Sequence, residues 1–278
     1  MKTLVLSERL AVLLPAYNCP ESLARTLASM VNCETACDIY LVDDGSEPAL
    51  DITGLEPAGC CLILLRMAKN GGITRALNFG LEHIMAAGHA FIARIDAGDL
   101  YVHGRFSKQM AFLRAHPNHA VVGSWINYMD ENRRPLFTLR QPVDHAALLK
   151  AFRYNNHIAH PSAMLRSDAL RQLGGYSEAY PAAEDYELFF RLSRKFHLAN
   201  LPEVLLDYEV SPHQISNRRK TQSNLSRLRI QLRYFDFWDI HSWLGAARTL
   251  TILMIPRPLL ITSRALKDHL IKQLKDSS

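Results

Sequence analysis

Residues 91–100 read Phe91-Ile92-Ala93-Arg94-Ile95-Asp96-Ala97-Gly98-Asp99-Leu100, a short apolar run that stops at two carboxylates separated by two small residues. This is the pattern of a strand that delivers charge to a sheet edge. In open α/β sheets the ligand crevice lies beyond the carboxyl ends of the strands, so Asp96 and Asp99 fall where a bound molecule would sit. Ala97 and Gly98 leave room for a diphosphate or a metal ion. Taken alone, the same residues equally suit a polar turn, where Asp is favoured for its side-chain to backbone hydrogen bonds.

Upstream, the pattern repeats. Leu10 to Leu14, bounded by Pro15, predicts a strand buried on both faces, ending in Pro15-Ala16-Tyr17-Asn18. Pro20-Glu21-Ser22 opens an amphipathic helix with Leu23, Leu27 and Met30 or Val31 on one side. A second strand over Ile39 to Val42 runs directly into Asp43-Asp44-Gly45-Ser46, and a third covers Cys61 to Leu65. After Lys69-Asn70-Gly71-Gly72 a helix is expected from Ile73 to about Ala87, stopped by Gly88. Such alternation predicts parallel strands with helices on both faces.

Downstream the pattern is less regular. Helices are expected over Arg105 to Ala115, His145 to Phe152 and Glu184 to Phe196, and strands over Ala120 to Ser124, Ala163 to Leu165 and Val204 to Val210. Asn127 to Arg140 has hairpin character, and Gly174-Gly175-Tyr176 marks a loop. From Ser216 the chain reads as helical and Arg-rich, so the expected division is residues 1–215 and a helical, basic, amphipathic extension over 216–278. Between Arg248 and Arg257 only Thr249 to Pro256 is apolar, far short of the ~20 residues that cross a bilayer. The extension suits a helix lying in the headgroup layer or one packed on the preceding domain or a second subunit, and the sequence does not choose.

Composition narrows the classes. With 278 residues, 48% hydrophobic and 21% charged, the chain has the make-up of a globular protein, and disorder is not expected. A net charge of +5 suits anionic ligands or an acidic membrane surface, while no basic stripe interleaved with aromatics marks a nucleic-acid binder. Five cysteines, an odd number without zinc-finger spacing, predict free thiols in a reducing cytoplasm. The N-terminal apolar segment is too short for a signal peptide. Gly-x-Gly-x-x-Gly is missing after the first strand, which argues against a dinucleotide dehydrogenase, and Leu10 to Pro20 has no Gly-rich basic loop for a nucleotidyltransferase.

Strand ends at Tyr17, at Asp43 with Asp44, and at Asp96 with Asp99 would meet in one crevice. A nucleotide suits it: an Asp accepts from a base imide or ribose hydroxyls, and Tyr17 offers a ring for stacking. Arg75, in the first turn after Asn70-Gly71-Gly72, either meets a phosphate or faces solvent. Acids facing a diphosphate need a cation between them, and Mg²⁺ or Mn²⁺ would fill that role. Asp185 heads the apolar side of its helix, shared with Leu188, Phe189 and Leu192, and reads either as an N-cap or as a general base.

Pro15-Ala16-Tyr17-Asn18, Val42-Asp43-Asp44-Gly45-Ser46, Asn70-Gly71-Gly72-Ile73 with Ala76-Leu77-Asn78, Arg94-Ile95-Asp96-Ala97-Gly98-Asp99 and Glu184-Asp185-Tyr186-Glu187-Leu188, in that order, resemble the family-2 inverting glycosyltransferases of GT-A fold. The resemblance covers about the first 215 residues and implies a Rossmann-like, mainly parallel α/β sheet flanked by helices. It implies transfer of a hexosyl or N-acetylhexosaminyl group, with inversion, from a nucleotide diphosphate sugar, UDP-linked by expectation, to a hydroxyl of a glycan or lipid-linked acceptor. Pro15, Ala16, Tyr17, Asn18, Asp43, Asp44, Asn70, Gly72, Arg75 and Asp96 would hold the donor, Asp185 with Glu184 would be catalytic, and Asp96, Asp99 and His213 would hold Mg²⁺ or Mn²⁺. His160 and Tyr176 are acceptor-side candidates. One departure stands out: the family's Asp-x-Asp motif wants an acid at Gly98, and here the second acid comes one place later, at Asp99. The implied setting is cytoplasmic polysaccharide or lipopolysaccharide biosynthesis, with membrane contact through the C-terminal helices and a homodimer left open. The rival reading is a non-catalytic sugar-nucleotide-binding scaffold subunit.

Overall fold

The computed structural model describes residues 9–31, 33–130, 132–210 and 220–254. The four early apolar runs form β1 (Leu10–Ala16), β2 (Cys37–Asp43), β3 (Cys60–Arg66) and β4 (Phe91–Arg94), parallel in the order β3-β2-β1-β4. Every residue of β1 and β2 is buried, and this is why those segments carry unbroken apolar runs; β3, at the edge, is only partly covered. Helices α1 (Pro20–Ser29) and α2 (Ile73–Ala87) lie on opposite faces. Leu23 and Leu27 of α1 enter one core, and Ala76, Leu77, Leu81 and Ile84 of α2 enter the other. Gly88 ends α2 at φ +82°, a left-handed turn that glycine adopts without steric cost.

Beyond β4 the sheet is mixed. β5 (Leu100–Tyr101), α3 (Arg105–Ala115), β6 (His119–Met129), β7 (Pro135–Leu139), α4 (His145–Phe152), a 3₁₀ turn (His160–Ser162), β8 (Met164–Arg166), α5 (Ser167–Leu173), α6 (Glu184–Ser193) and β9 (His197–Glu209) follow in chain order. β8 lies antiparallel beside β4, the sheet continues through β6 and β9 to β5, and β7 pairs with β6 as the expected hairpin. β6 and β9 run well past their apolar runs because their polar halves pair with each other. Asn127 donates to Asp207 at 3.0 Å, and the rings of Tyr128 and Tyr208 pack 4.9 Å apart. The short helix α5 has no counterpart in the apolar pattern.

After residues 211–219, which include the expected boundary and lie outside the described residues, come α7 (Lys220–Arg233) and α8 (Ile240–Met254). One side of this pair packs on the α/β domain. Ile230 is fully buried, Tyr234 stacks on Phe190 at 4.7 Å, and Arg153 holds Asp239 at 2.8 Å. The other side leaves Phe237, Trp238, Ile240, Trp243 and Leu244 exposed. Among the described residues no helix is long and apolar enough to cross a membrane.

Candidate active site

Parallel strands deliver their carboxyl ends to one rim, so Tyr17, Asp43 and Asp96 leave β1, β2 and β4 side by side. What each strand end does there differs. Asp43 has no exposed surface: it accepts from the Ser46 N–H and Arg66 Nη1, both at 2.8 Å, and from the Leu50 N–H at 3.5 Å. Asp44 is nearly as buried. Its Oδ1 accepts from the Gly71 N–H at 2.6 Å, and its Oδ2 from the Gly72 N–H at 2.9 Å and Asn70 Nδ2 at 3.2 Å. The strand end is thereby tied to the loop before α2. Between the two fastenings Gly45 sits at φ +72°, where a Cβ would come within 2.5 Å of the Lys69 backbone, so no larger residue fits. Pro15 and Ala16 are buried in β1, Tyr17 is 47% exposed, and Asn18 bridges to the second loop through Ser46 and Glu47.

The centre of the rim is Arg94, a residue missed by the sequence reading. Its side chain is 2% exposed, its Nη2 is paired with Asp96, and its Nε and Nη1 have no partner. A cation inside a strand buried on both faces was the available signal. Arg105 lies behind it, fully buried and donating to the Arg94 carbonyl at 2.6 Å, with its own ionisation pulled down to about 9 by burial. Asp99 lies in the field of both guanidiniums, its Oδ1 accepting from the Glu209 N–H at 3.3 Å and its Oδ2 buried without a partner. Burial, reinforced by Asp96, nonetheless holds the Asp99 carboxyl above the usual carboxylate range. Gly98, where the family's second acid would stand, has φ +115°, and its N–H donates to Thr26 at 2.8 Å. An acid there would be strained in this loop.

Glu184 and Asp185 open α6 and face the same guanidinium electrostatically. Neither caps the helix, because the cap residue is Ala183 and makes no side-chain bond. Asp185 accepts from Asn156 Nδ2 at 2.7 Å, and the Asn156 amide is oriented by the Ile158 N–H at 3.0 Å. Burial raises the Asp185 carboxyl above its ordinary range. Glu184 is 7% exposed, its Oε2 is unpartnered, and burial followed by the charge of Asp185 pushes its pKa up to about 7.

His160 and Tyr176 complete the floor, sharing a 2.8 Å hydrogen bond. Burial and then Arg94 hold the imidazole neutral, well below its usual pKa. The loop carrying Tyr176 is clamped by Asn78 of α2, which exchanges two 2.9 Å bonds with the Tyr176 backbone, and by Arg191 of α6, which donates to the Gly174 and Gly175 carbonyls.

The expected residues therefore divide. Asp96, Asp99, His160, Tyr176, Glu184 and Asp185 gather around Arg94; Asp43, Asp44, Asn70 and Gly72 build the adjoining loop; and Arg75 pairs with Glu178 at 2.9 Å, both more than half exposed. His213 lies outside the described residues. For a divalent ion the donor set fits: Asp96 is part-exposed, Asp99 has an uncommitted oxygen, and four carboxyls face two buried guanidiniums. Mg²⁺ needs only one or two carboxylates when substrate phosphates supply the rest.

Residues 11–174, well over half the chain, match glycosyl transferase family 2. The chain is 29% identical to the amylovoran biosynthesis glycosyltransferase AmsE of Erwinia amylovora over 82% of its own length and 88% of that protein. It is 24% identical to the UDP-Gal:alpha-D-GlcNAc-diphosphoundecaprenol beta-1,3-galactosyltransferase of Escherichia coli over 61% of this chain and 60% of that one. Its fold matches S. aureus TarS in complex with UDP-GlcNAc, with TM-score 0.65 at 16% identity over 87% of this chain and 71% of the other. It likewise matches the mannosyltransferase PcManGT of Pyrobaculum calidifontis in complex with GDP-Man and Mn²⁺, with TM-score 0.63 at 18% identity over 93% and 80%. A GT-A sheet with its acids gathered at the carboxyl rim, and a family match that spans the strands carrying most of them, make this chain a glycosyltransferase of family 2.

Proposed function

We propose that the protein transfers a sugar from a nucleotide diphosphate sugar to an acceptor hydroxyl with inversion, and that Asp185 is the general base. The observation that carries this reading is the Glu184–Asp185 pair: two neighbouring carboxyls at the head of a helix, both raised by burial, with one Glu184 oxygen unpartnered, set against Arg94 and Asp96 at the strand end. Asn156 on Oδ2 and the Tyr186 N–H on Oδ1, both at 2.7 Å, fix the Asp185 carboxylate, so the lone pair left on each oxygen is held for an incoming hydroxyl. As that oxygen attacks the anomeric carbon, Asp185 takes the proton, and a single in-line displacement inverts the centre without a covalent intermediate.

On the donor side, Tyr17 supplies an exposed ring for the base, and the loop fastened by Asp43 and Asp44 shapes the wall beside it. Asp96 and Asp99 would hold a divalent ion, which when bound offsets charge on the departing diphosphate. UDP is the favoured nucleotide, by likeness to relatives whose names carry UDP-sugars. A lipid-linked acceptor fits the helical extension, where Phe237, Trp238, Ile240 and Trp243 stand exposed beside Arg233, the composition of a surface resting in a headgroup layer.

Asp185→Asn tests the reading. Donor binding, followed by thermal shift with UDP-sugars and Mn²⁺, should persist, while turnover falls by about 10²–10⁴-fold. Turnover at the parent rate would remove Asp185 from the mechanism.

A further inference from the structure

At the opposite rim of the sheet three thiols come together. Cys37 and Cys60 are the first residues of β2 and β3 and are partners in register, and Cys33 stands in the segment between α1 and β2. Their sulfur atoms all lie within 4.8 Å of one another, Cys37 and Cys60 at 2.9 Å. Among the described residues this is the only place where three or more Cys, His, Asp or Glu ligand atoms gather so closely. β2 has 7 residues, so at about 3.3 Å per residue the cluster sits roughly 20 Å from the acids at the carboxyl rim.

Around a tetrahedral ion with thiolates at about 2.3 Å, neighbouring sulfurs stand about 3.8 Å apart. The trio spans that distance, with Cys37 and Cys60 needing to open by under about 1 Å to match it. We propose that Cys33, Cys37 and Cys60 form a binding site for a thiophilic divalent ion of the zinc class, with the fourth position open to water. Cys37 is fully buried, and the half-buried Cys33 and Cys60 give the ion a way in from solvent. The Cys37 thiol donates to the Cys60 sulfur, and the Cys33 thiol donates to the Thr35 carbonyl at 3.3 Å. Binding displaces the thiol protons and ties the end of α1 and the edge strand β3 to β2. At this distance the ion is a structural tie and takes no part in transfer.

The full-length reduced protein, titrated with Co²⁺, tests the proposal. A thiolate-to-cobalt charge-transfer band should saturate at a single equivalent and bleach on adding Zn²⁺, and Zn²⁺ should raise Tm by on the order of 5 °C. Sulfur charge transfer separates this site from the carboxylates of the crevice. Cys37→Ser should abolish the band; if that variant does not fold, the half-buried Cys33→Ser carries the same test. Cys61→Ser, which alters the exposed neighbour on β3, should leave the band intact. Absence of the band in the folded protein, its survival in Cys33→Ser, or a Cys37–Cys60 disulfide in protein isolated without oxidant would overturn the site.

Discussion

Asp43–Asp44 and Glu184–Asp185 are both neighbouring acid pairs at the mouth of one sheet, and the protein uses them in opposite ways. The first pair meets six donors, four of them backbone N–H groups. The second keeps an unpartnered oxygen and raised pKa values. A carboxylate that accepts several hydrogen bonds shapes a loop, whereas one held dry and half-satisfied retains basicity for chemistry. On the proposed function, stability and reactivity are separated between the two pairs, and substitutions should show it.

Arg94 holds the second group together and should give the largest structural effect. Arg94→Met removes the buried cation from Asp96, Asp99, Glu184 and Asp185, and the expected loss is about 3–5 kcal/mol of unfolding free energy by denaturant titration. A loss below about 1 kcal/mol would mean the acids are neutralised by protons instead. Asp43→Ala follows, at about 2–4 kcal/mol, since it strands the Ser46 N–H, the Leu50 N–H and the Arg66 guanidinium together. Its damage should appear in Tm and be shared between donor binding and turnover, unlike the Asp185 variant, whose loss belongs to turnover alone.

The parallel half was legible because strands buried on both faces must be apolar throughout, and each expected strand from Leu10 to Ile95 is present to within two residues. The same logic placed Asp96 at a strand end, while Asp185 was placed by the apolar face of its helix. In the mixed half the helices over Arg105–Ala115 and His145–Phe152 were legible, but the full lengths of β6 and β9 were not, because these strands are stabilised by cross-strand polar and aromatic pairs such as Asn127 with Asp207, which leave no periodic apolar trace. Nor does a motif tell whether an acid is satisfied: Asp43 and Asp185 look alike in sequence, and only their donors differ. The roles of Arg94 and Asn156 depend on contacts between segments far apart in the chain, which spacing does not encode.

Glu184→Gln turns the comparison into a pH measurement. With its pKa raised to about 7, folded Glu184 holds its proton while the unfolded chain, near 4.5, has released it. Ionising Glu184 therefore costs stability, and the cost grows from about pH 4.5 to about pH 7 and is constant above that. The Gln variant should be more stable than the parent at pH 8, by on the order of 1–3 kcal/mol, and the gain should vanish toward pH 5. A pH-independent difference would assign the effect to packing.

Arg75 gives the smallest effect and the sharpest choice. Its position after the Asn70-Gly71-Gly72 loop suggests a phosphate contact, yet its partner is Glu178, across an exposed 2.9 Å ion pair. Such pairs contribute about 0–1 kcal/mol, so Arg75→Ala should shift Tm by no more than a degree or two. If the pair is only a surface contact, donor KM will also stay put. A rise of about tenfold in donor KM with Tm unchanged would instead mean that Glu178 occupies the guanidinium until a diphosphate displaces it, worth about 1.4 kcal/mol in the bound state. Glu178→Ala separates the two outcomes: freeing Arg75 from a competing carboxylate should then lower KM, whereas an idle surface pair would leave it unmoved.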